Sequence, residues 1–225
     1  QAAVVVATLR AMKHHVEVTG DLAAGFDNLM AHVENVRQYG VPVVVAINRF
    51  ADDTDEEVAA VASMCKAAGV SYADCDIWAR GGEGGIELAE EVLGALDSGE
   101  AEFEPLYATD LSLREKLEEI AAKVYGADGV NMTGPAAKQA QQIVENGLGD
   151  LPVCVAKTQY SLSDDPTLLG RPSGFEITVR EFRISAGAGF IVALTGDVMT
   201  MPGLAARPAA EGMGIHEDGR IEGLF

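Results

Sequence analysis

Two aromatic residues, Phe50 and Trp78, stand out because each follows an apolar, strand-like run. The runs cover residues 43–47 and 70–77, and Trp78 is the only tryptophan of the chain. In open α/β sheets, ligands bind where parallel strands end. Two flat rings at neighbouring strand ends could therefore form a slot for a planar heterocycle. Periodicity alone favours the alternative that both rings belong to the core and cap the sheet edge.

A glycine-rich segment at residues 81–85 follows Trp78 and precedes a helical pattern. Exposed N–H groups before a helix can hold an anion. The segment lacks the Gly-Lys-Ser/Thr ending of a P-loop, and it also lacks the spacing of a dinucleotide fingerprint. A plain flexible turn is the alternative.

Four cations matter because the chain has only 16 lysines and arginines. Arg10 and Lys13 follow the first predicted strand, at the edge expected for Phe50, and Lys157 follows a later strand. Arg171 lies in a long polar segment. These side chains could offset carboxylates or phosphates of a substrate. Ordinary ion pairs are the alternative.

Metal, disulfide and nucleophile chemistry find little support. His14 and His15 are adjacent, so a regular element cannot easily direct both to one metal, and we expect no metal site. Three widely spaced cysteines favour neither a disulfide framework nor a zinc knuckle, which fits a reducing cytosol. Ser161 and Ser163 belong to no recognisable nucleophile motif. We assign no catalytic residue.

The first part of the chain alternates strand and helix patterns. Apolar residues at helical spacing, with Leu22, Phe26 and Leu29 among them, predict an amphipathic helix, and Thr54 with Glu57 predicts a capping box. This alternation favours a parallel sheet with helical crossovers. The predicted strands are 2–8, 43–47 and 70–77, and the predicted helices are 22–37, 54–69 and 86–96. Residues 2–8 are apolar and β-branched, which predicts a buried strand.

Beyond a predicted surface linker near 98–105 the order becomes irregular. The alternation of residues 175–184 slips phase near Arg180, which predicts a β-bulge, and the segment 157–174 reads as a long ordered loop. The fold class expected is α/β, a mainly parallel sheet flanked by helices, with a mixed α/β C-terminal region. Its predicted helices are 112–125, with a capping box of Ser112 and Glu115, and 135–147. Its predicted strands are 151–156, 175–184 and 190–194.

Bulk composition excludes several partners. The 225 residues are 48% hydrophobic and carry a formal net charge of -19, which repels a nucleic-acid backbone. No apolar run approaches the roughly 20 residues of a membrane span, and no signal-peptide pattern is present. We therefore expect neither a nucleic-acid nor a membrane partner.

Several stretches together resemble one enzyme family, formate–tetrahydrofolate ligase. Residues 6–13, Val-Ala-Thr-Leu-Arg-Ala-Met-Lys, are similar to a family signature, and His15 matches a family histidine. The sequence departs from the family at Val16-Glu17, where Gly-Gly is usual, and at Ala205, where Pro is usual. The other similar stretches are 45–54, Trp78 with its glycines, 106–107, 152–161, 187–190, 201–204 and 223–225.

The resemblance implies an activity and a site. Such enzymes join formate to tetrahydrofolate with ATP and Mg²⁺, through formyl phosphate, to give 10-formyltetrahydrofolate. Phe50 and Trp78 would enclose the pterin ring between them, and the glycine run would form a pocket wall rather than a phosphate loop. Family members are typically homotetramers, for which a monovalent cation is expected. The cysteine usage described above favours a cytoplasmic location. The implied pocket residues are Asn48, Arg80, Gly81 and Gly82, and the anion contacts would come from Arg10, Lys13 and Lys157.

The same resemblance suggests a division of the chain. Residues 1–52 would be the tail end of a nucleotide-binding domain, and residues 53–225 a C-terminal α/β region. The sequence contains no Walker A motif, so we expect the P-loop to belong to a preceding part of the enzyme and this chain alone to be inactive. The alternatives are a non-catalytic folate-binding or assembly module, and a scaffold domain without a ligand.

Overall fold

Two β-sheets organise the chain in this computed structural model, which describes residues 1–16, 22–196 and 207–223. The first sheet has the strand order β1-β2-β3, and the second has the order β4-β6-β7-β5. Helices flank both sheets, so the α/β prediction is confirmed. The predicted similarity at 201–204, and most of that at 223–225, lies outside the described residues.

The first sheet is parallel, as predicted. Its strands are β1 (Ala3–Ala7), β2 (Val43–Asn48) and β3 (Ser71–Cys75). The helices of this part are α1 (Leu9–His14), α2 (Leu22–Arg37), α3 (Asp55–Ala67), α4 (Ile77–Arg80) and α5 (Ile86–Asp97). Thr54 and Glu57 form the predicted capping box at the start of α3. The predicted division between residues 52 and 53 falls inside this sheet, because β1 and β2 precede it and β3 follows it. The domain boundary itself stays a prediction.

The two faces of the first sheet differ. One face packs against α2 and α3 in a core that includes Val33, Val45 and Val61, all fully buried. On the other face, α5 lies against β3 and β2 and leaves β1 partly open. Val4 is 42% and Val6 63% exposed, so the prediction that β1 is a buried strand is wrong for this face. Apolar and β-branched composition identifies a strand but cannot show which faces other elements cover.

The second sheet is mixed. Its strands are β4 (Gly129–Met132), β5 (Val153–Ala156), β6 (Glu176–Ser185) and β7 (Phe190–Thr195). β6 pairs antiparallel with β7, and the register shifts between Val179 and Glu181, which confirms the predicted bulge. Strand β4 was not predicted. It pairs in parallel with β6.

The helices of this second part were predicted with small differences. They are α6 (Leu113–Ile120), which continues as a π-helical turn (Ala121–Tyr125), and α7 (Gly134–Glu145). A separate core of apolar side chains, with Leu117, Ile177 and Ile191 fully buried, holds this part together. Near the end, a short 3₁₀ helix (Ala209–Gly212) precedes a small hairpin of β8 (Gly214–Ile215) and β9 (Ile221–Glu222).

Two amide side chains on α2, and a third just past its end, join the two parts. The Asn35 side chain donates to the carbonyl of Val124 at 2.7 Å, and the Gln38 side chain donates to that of Lys123 at 2.8 Å. Asn28, which is buried, donates to the carbonyl of Gly170 at 2.8 Å. Hydrogen bonds to charged or backbone acceptors fix orientation more specifically than apolar packing does. α2 therefore sets where the long loop 157–174 lies relative to the first sheet.

Candidate functional site

The carboxyl ends of β2 and β3 lie side by side. Asn48, the last residue of β2, is opposite Cys75, the last residue of β3. Phe50 lies two positions after the end of β2, and Trp78 lies three positions after the end of β3. The predicted placement of both aromatics at one edge of the sheet is thus supported by the strand order. Their rings make no contact with each other.

The turn that carries Phe50 is held from several sides. The Phe50 amide donates to the Asp53 carboxylate at 2.9 Å, and the Asp53 amide donates to the Phe50 carbonyl at 3.1 Å. The Arg10 guanidinium lies over the Phe50 ring, 4.6 Å from its centre, which is a favourable cation–π distance. Phe50 is 39% exposed. Its ring therefore has a fixed position, with a cation against it and surface left open to solvent.

Arg49 ties the ends of the two strands together. Its Nε lies 2.7 and 3.0 Å from the two carboxylate oxygens of Asp74 on β3, and its Nη1 donates to Asp55 of α3 at 2.7 Å. Its backbone amide donates to the carbonyl of Cys75 at 2.9 Å. The hydrogen bonds to Asp74 and Asp55 raise the pKa of Arg49 further above its usual range. The guanidinium thus fixes the spacing between the strands that lead to Phe50 and to Trp78.

Trp78 lies on the surface. It is 82% exposed, so the interpretation that it is a core residue is wrong. The prediction that a strand runs up to Trp78 is also wrong, because β3 ends at Cys75 and Trp78 belongs to the short helix α4. An indole exposed to this extent gains little from burial in the chain itself and presents a large apolar area to a ligand.

The glycine run holds α4 in place through its backbone. Residues Gly81–Gly85 form a 3₁₀ turn, and the Asp76 amide donates to the Gly84 carbonyl at 3.1 Å. A Cβ on Gly84 would lie 2.2 Å from the Asp76 carbonyl oxygen, which is too close for any other residue. Gly81 has a φ of +60°, a region that favours glycine. The run therefore has a defined 3₁₀ geometry.

Beside the Phe50 turn lies an open cavity of about 670 Å³. Arg10 and Lys13 line it, but neither is a free cation. Arg10 lies 3.9 Å from Asp52, and Lys13 forms an ion pair with Glu57 at 2.7 Å. The hydrogen bond that Lys13 donates to the Glu57 carboxylate raises the pKa of Lys13. The other lining residues are Thr8, Ala11, His14, His15, Asp52, Asp53, Gln159 and Tyr160.

A second cavity, of about 530 Å³, adjoins the first and shares Thr8, Ala11, His15 and Gln159 with it. Apolar residues of β1 and α2 line this cavity together with His32. Burial lowers the pKa of His15, and so do the neighbouring His14 and His32; burial and Lys157 lower the pKa of His32. Both rings are therefore neutral at pH 7, where they act as hydrogen-bonding groups rather than as cations.

Not all of the predicted site residues come together. Arg10, Phe50 and Asn48 lie at the carboxyl edge of the first sheet, and Arg80, Gly81 and Gly82 follow Trp78 in sequence and structure. Lys157 belongs to the loop after β5, where its ammonium donates to carbonyls of its own loop. Arg171 forms an ion pair with Glu34 of α2. The ligand-contact roles of these residues stay predictions.

Neither a metal-binding cluster nor a membrane-spanning helix is found among the described residues. Within residues 1–16, 22–196 and 207–223, no group of three His, Cys, Asp or Glu side chains could hold a metal ion. Over the same ranges, no helix has the length and apolarity that crossing a lipid bilayer requires.

Sequence reasoning missed the contacts that position the site. The hydrogen bond from Arg49 to Asp74 and the cation–π contact of Arg10 with Phe50 join residues 25 and 40 positions apart. The only available signal was the strand order, which places the carboxyl ends of β1, β2 and β3 at one edge. Arg10 and Arg49 lie near these strand ends, so only side chains at the same edge are close enough to contact them.

A family model described as formate–tetrahydrofolate ligase matches the chain over residues 1–225.

Proposed function

The chain belongs to the formate–tetrahydrofolate ligase family, and we propose that it supplies the folate-binding part of such a ligase, with the pterin ring between Phe50 and Trp78. The single observation that carries this proposal is the exposure of Trp78 beside the carboxyl end of β3. A large aromatic ring on the surface at the ligand-binding edge of a parallel sheet favours stacking on a planar ring.

The second wall of the proposed slot is Phe50. One side of its ring is covered by Arg10, so the pterin would stack against the remaining exposed surface. The turn is fixed by Asp53 and by Arg49 before any ligand arrives. A wall that is already ordered spares the ligand the entropy cost of ordering it.

The chemistry expected of the whole ligase consumes ATP, with Mg²⁺, and activates formate as formyl phosphate. In this proposal the residues of this chain bind and orient tetrahydrofolate so that its N10 faces the formyl carbon. Holding the two reactants in line contributes to the rate by proximity rather than by acid–base chemistry. Asn48 and the backbone of residues 80–82 would contact the polar edge of the pterin. A cytoplasmic location and a homotetramer stay predictions.

The test uses Trp78 as its own reporter, because it is the only tryptophan. Titration of tetrahydrofolate should quench its fluorescence saturably. The variant Phe50→Ala should weaken binding by about three- to tenfold, since an aromatic stack is worth roughly 0.5–1.5 kcal/mol beyond area burial. Phe103→Ala is the matched control, because Phe103 is also exposed and stacks on Tyr39 away from the β2 carboxyl end.

Phe103→Ala should bind tetrahydrofolate as the unmodified chain does. Absence of a saturable fluorescence change in the unmodified chain would contradict the folate slot and favour a scaffold domain. Equal weakening by both substitutions would show that the effect is one of general stability.

We further expect the isolated chain to form no 10-formyltetrahydrofolate from ATP, formate and tetrahydrofolate. Its 225 residues contain no Gly-Lys-Ser/Thr phosphate loop. Product formation, measured by chromatography of the reaction mixture, would contradict this expectation. Folate binding without turnover is the combined result that the proposal predicts.

A further inference from the structure

The loop after β5, residues 157–174, borders the cavity beside the Phe50 turn. Gln159 and Tyr160 line that cavity together with Arg10, Lys13 and the Phe50 turn. Tyr160 is 52% exposed, and its ring lies 5.9 Å from that of His14 in an edge-on arrangement. Its hydroxyl has no hydrogen-bond partner among the described residues. The loop thus contributes a partly exposed tyrosine to the lining of the cavity.

Lys157 holds the start of this loop in shape. Its ammonium donates to the carbonyl of Thr158 at 2.9 Å and to that of Ser161, and it lies 5.1 Å from the centre of the Tyr125 ring. These bonds close the turn that contains Gln159 and Tyr160. Because the ammonium is half-buried and donates its hydrogen bonds within the loop, it stabilises the loop conformation rather than acting as a free surface charge.

Buried serines fix the rest of the loop. The Ser161 hydroxyl donates to the Leu168 carbonyl at 2.5 Å, and the Ser163 amide donates to the Ser161 hydroxyl at 2.9 Å. Ser161 is 7% exposed and Ser163 only 1%. Hydrogen bonds among buried groups are costly to break, so the turn at Lys157 and the far end of the loop keep one relative position.

The far end of the loop is anchored to the helices of the first sheet. The Gly170 amide donates to His15 Nδ1 at 3.1 Å, and the Gly170 carbonyl accepts from Asn28 at 2.8 Å. Arg171 pairs with Glu34 of α2. Together with the brace at Lys157, these contacts place Tyr160 at a set distance from α1 and from the Phe50 turn.

We infer that Gln159 and Tyr160 form a second substrate-contacting wall, which takes the p-aminobenzoyl-glutamate portion of tetrahydrofolate, and that Lys157 is the positioning residue of that wall. The inference rests on the proposed function. Arg10 both covers the Phe50 ring and lines the cavity, so a ligand stacked on Phe50 has the cavity next to it. The part of tetrahydrofolate that extends beyond the pterin begins with an aromatic ring, which can pack against the partly exposed ring of Tyr160.

The test compares two ligands on the same chain. Tetrahydrofolate carries the p-aminobenzoyl-glutamate portion and 6-methyltetrahydropterin lacks it, while both should quench Trp78. Tyr160→Ala and Lys157→Met should each weaken tetrahydrofolate binding by roughly fivefold, the effect of about one lost hydrogen bond or ring contact. Both variants should leave the affinity for 6-methyltetrahydropterin within about twofold of the unmodified value, because neither residue contacts the pterin slot.

Two controls separate this role from a structural one. Lys138→Met removes an exposed lysine of α7 and should change neither affinity. Loss of fold would weaken both ligands together, whereas the inference predicts that only tetrahydrofolate is affected. Circular dichroism checks each variant; if Lys157→Met does not fold, Tyr160→Ala, which alters an exposed side chain, decides the matter.

Three outcomes would overturn the inference in distinguishable ways. Equal affinities of the unmodified chain for the two ligands would refute the second wall and leave the Phe50–Trp78 slot intact. Variants that bind both ligands normally, or that lose both equally, would refute the role of the loop. Absence of Trp78 quenching by either ligand would refute the proposed function, and the inference with it.

Discussion

The two segments that carry the proposed slot residues are held in place by different interactions. Side chains hold the Phe50 segment: Arg49 bonds to Asp74 and Asp55, and Arg10 lies against the Phe50 ring. Backbone contacts hold the Trp78 segment. The Asp76 amide bonds to the Gly84 carbonyl, and the indole itself is 82% exposed.

This difference shows how each side of the slot would respond to change. The Phe50 side is ordered by charge-assisted hydrogen bonds that act over several elements. The Trp78 side depends on the close approach of two backbone segments, which only glycine permits at position 84. Substitutions of charged residues should therefore affect the first segment and substitutions of glycine the second.

The largest effect is expected at Gly84. In Gly84→Ala the new Cβ would lie 2.2 Å from the Asp76 carbonyl oxygen and 2.4 Å from its carbon, so the backbone before α4 must move. We expect a loss of about 2–4 kcal/mol in the free energy of unfolding, measured by urea denaturation, and loss of folate-dependent quenching of Trp78.

The matched control for Gly84→Ala is Gly82→Ala. No atom lies within 4 Å of a Cβ at Gly82, and its φ is not positive. This variant should unfold within about 0.5 kcal/mol of the unmodified chain. A Gly84→Ala variant as stable as Gly82→Ala would show that the backbone contact does not hold the Trp78 segment.

A smaller effect is expected at Arg49. Arg49→Met leaves Asp74 without its partner, and we expect a loss of about 1–3 kcal/mol in the free energy of unfolding, with weaker folate binding. Arg49→Lys should restore only part of the stability, because an ammonium cannot reproduce the planar geometry of the guanidinium. Arg207→Met, which breaks an exposed pair with Glu211, is the control and should cost about 0.5 kcal/mol or less. Full rescue by lysine would argue against a geometric role.

The smallest effect is expected in the pH dependence of the free energy of unfolding, through Lys157, whose ammonium bonds to carbonyls rather than to a carboxylate. Burial lowers the pKa of Lys157 to about 8, while Asp164 acts in the opposite direction. The unfolded chain, with an ordinary lysine, binds more protons between pH 8 and about 10.5, so this group adds stability as the pH rises through that window. Below pH 8 its contribution is constant and unfavourable.

Urea denaturation at pH 7.5 and pH 9.5 measures this effect. Relative to Lys157→Met, the unmodified chain should gain stability at the higher pH, by less than about 1.4 kcal/mol per pH unit because solvent reaches part of the side chain. Comparison of the two chains cancels the titration of the tyrosines and cysteines. Equal pH dependence of the two chains would show that Lys157 titrates as a surface lysine.

Local patterns in the sequence predicted most of the elements. The apolar spacing of α2, the capping boxes at Thr54 and Ser112 and the phase slip at the β6 bulge all describe interactions between residues close in sequence. Strand β4 escaped prediction because its four residues include Gly129 and Asn131, which are poor strand formers. Its partner β6 lies about 47 positions later, so only the folded sheet supplies the pairing.

The sequence by itself determined the alternation of strands and helices, and with it the placement of Phe50 and Trp78 at one edge of a parallel sheet. The tertiary structure decided which face of β1 is open, that Trp78 lies on an exposed helix, and that Arg49, Arg10 and Lys157 brace the segments around the proposed slot. The reason is distance along the chain. Secondary structure follows from patterns among residues a few positions apart. Burial and ion pairing depend on which distant segments meet in the folded chain.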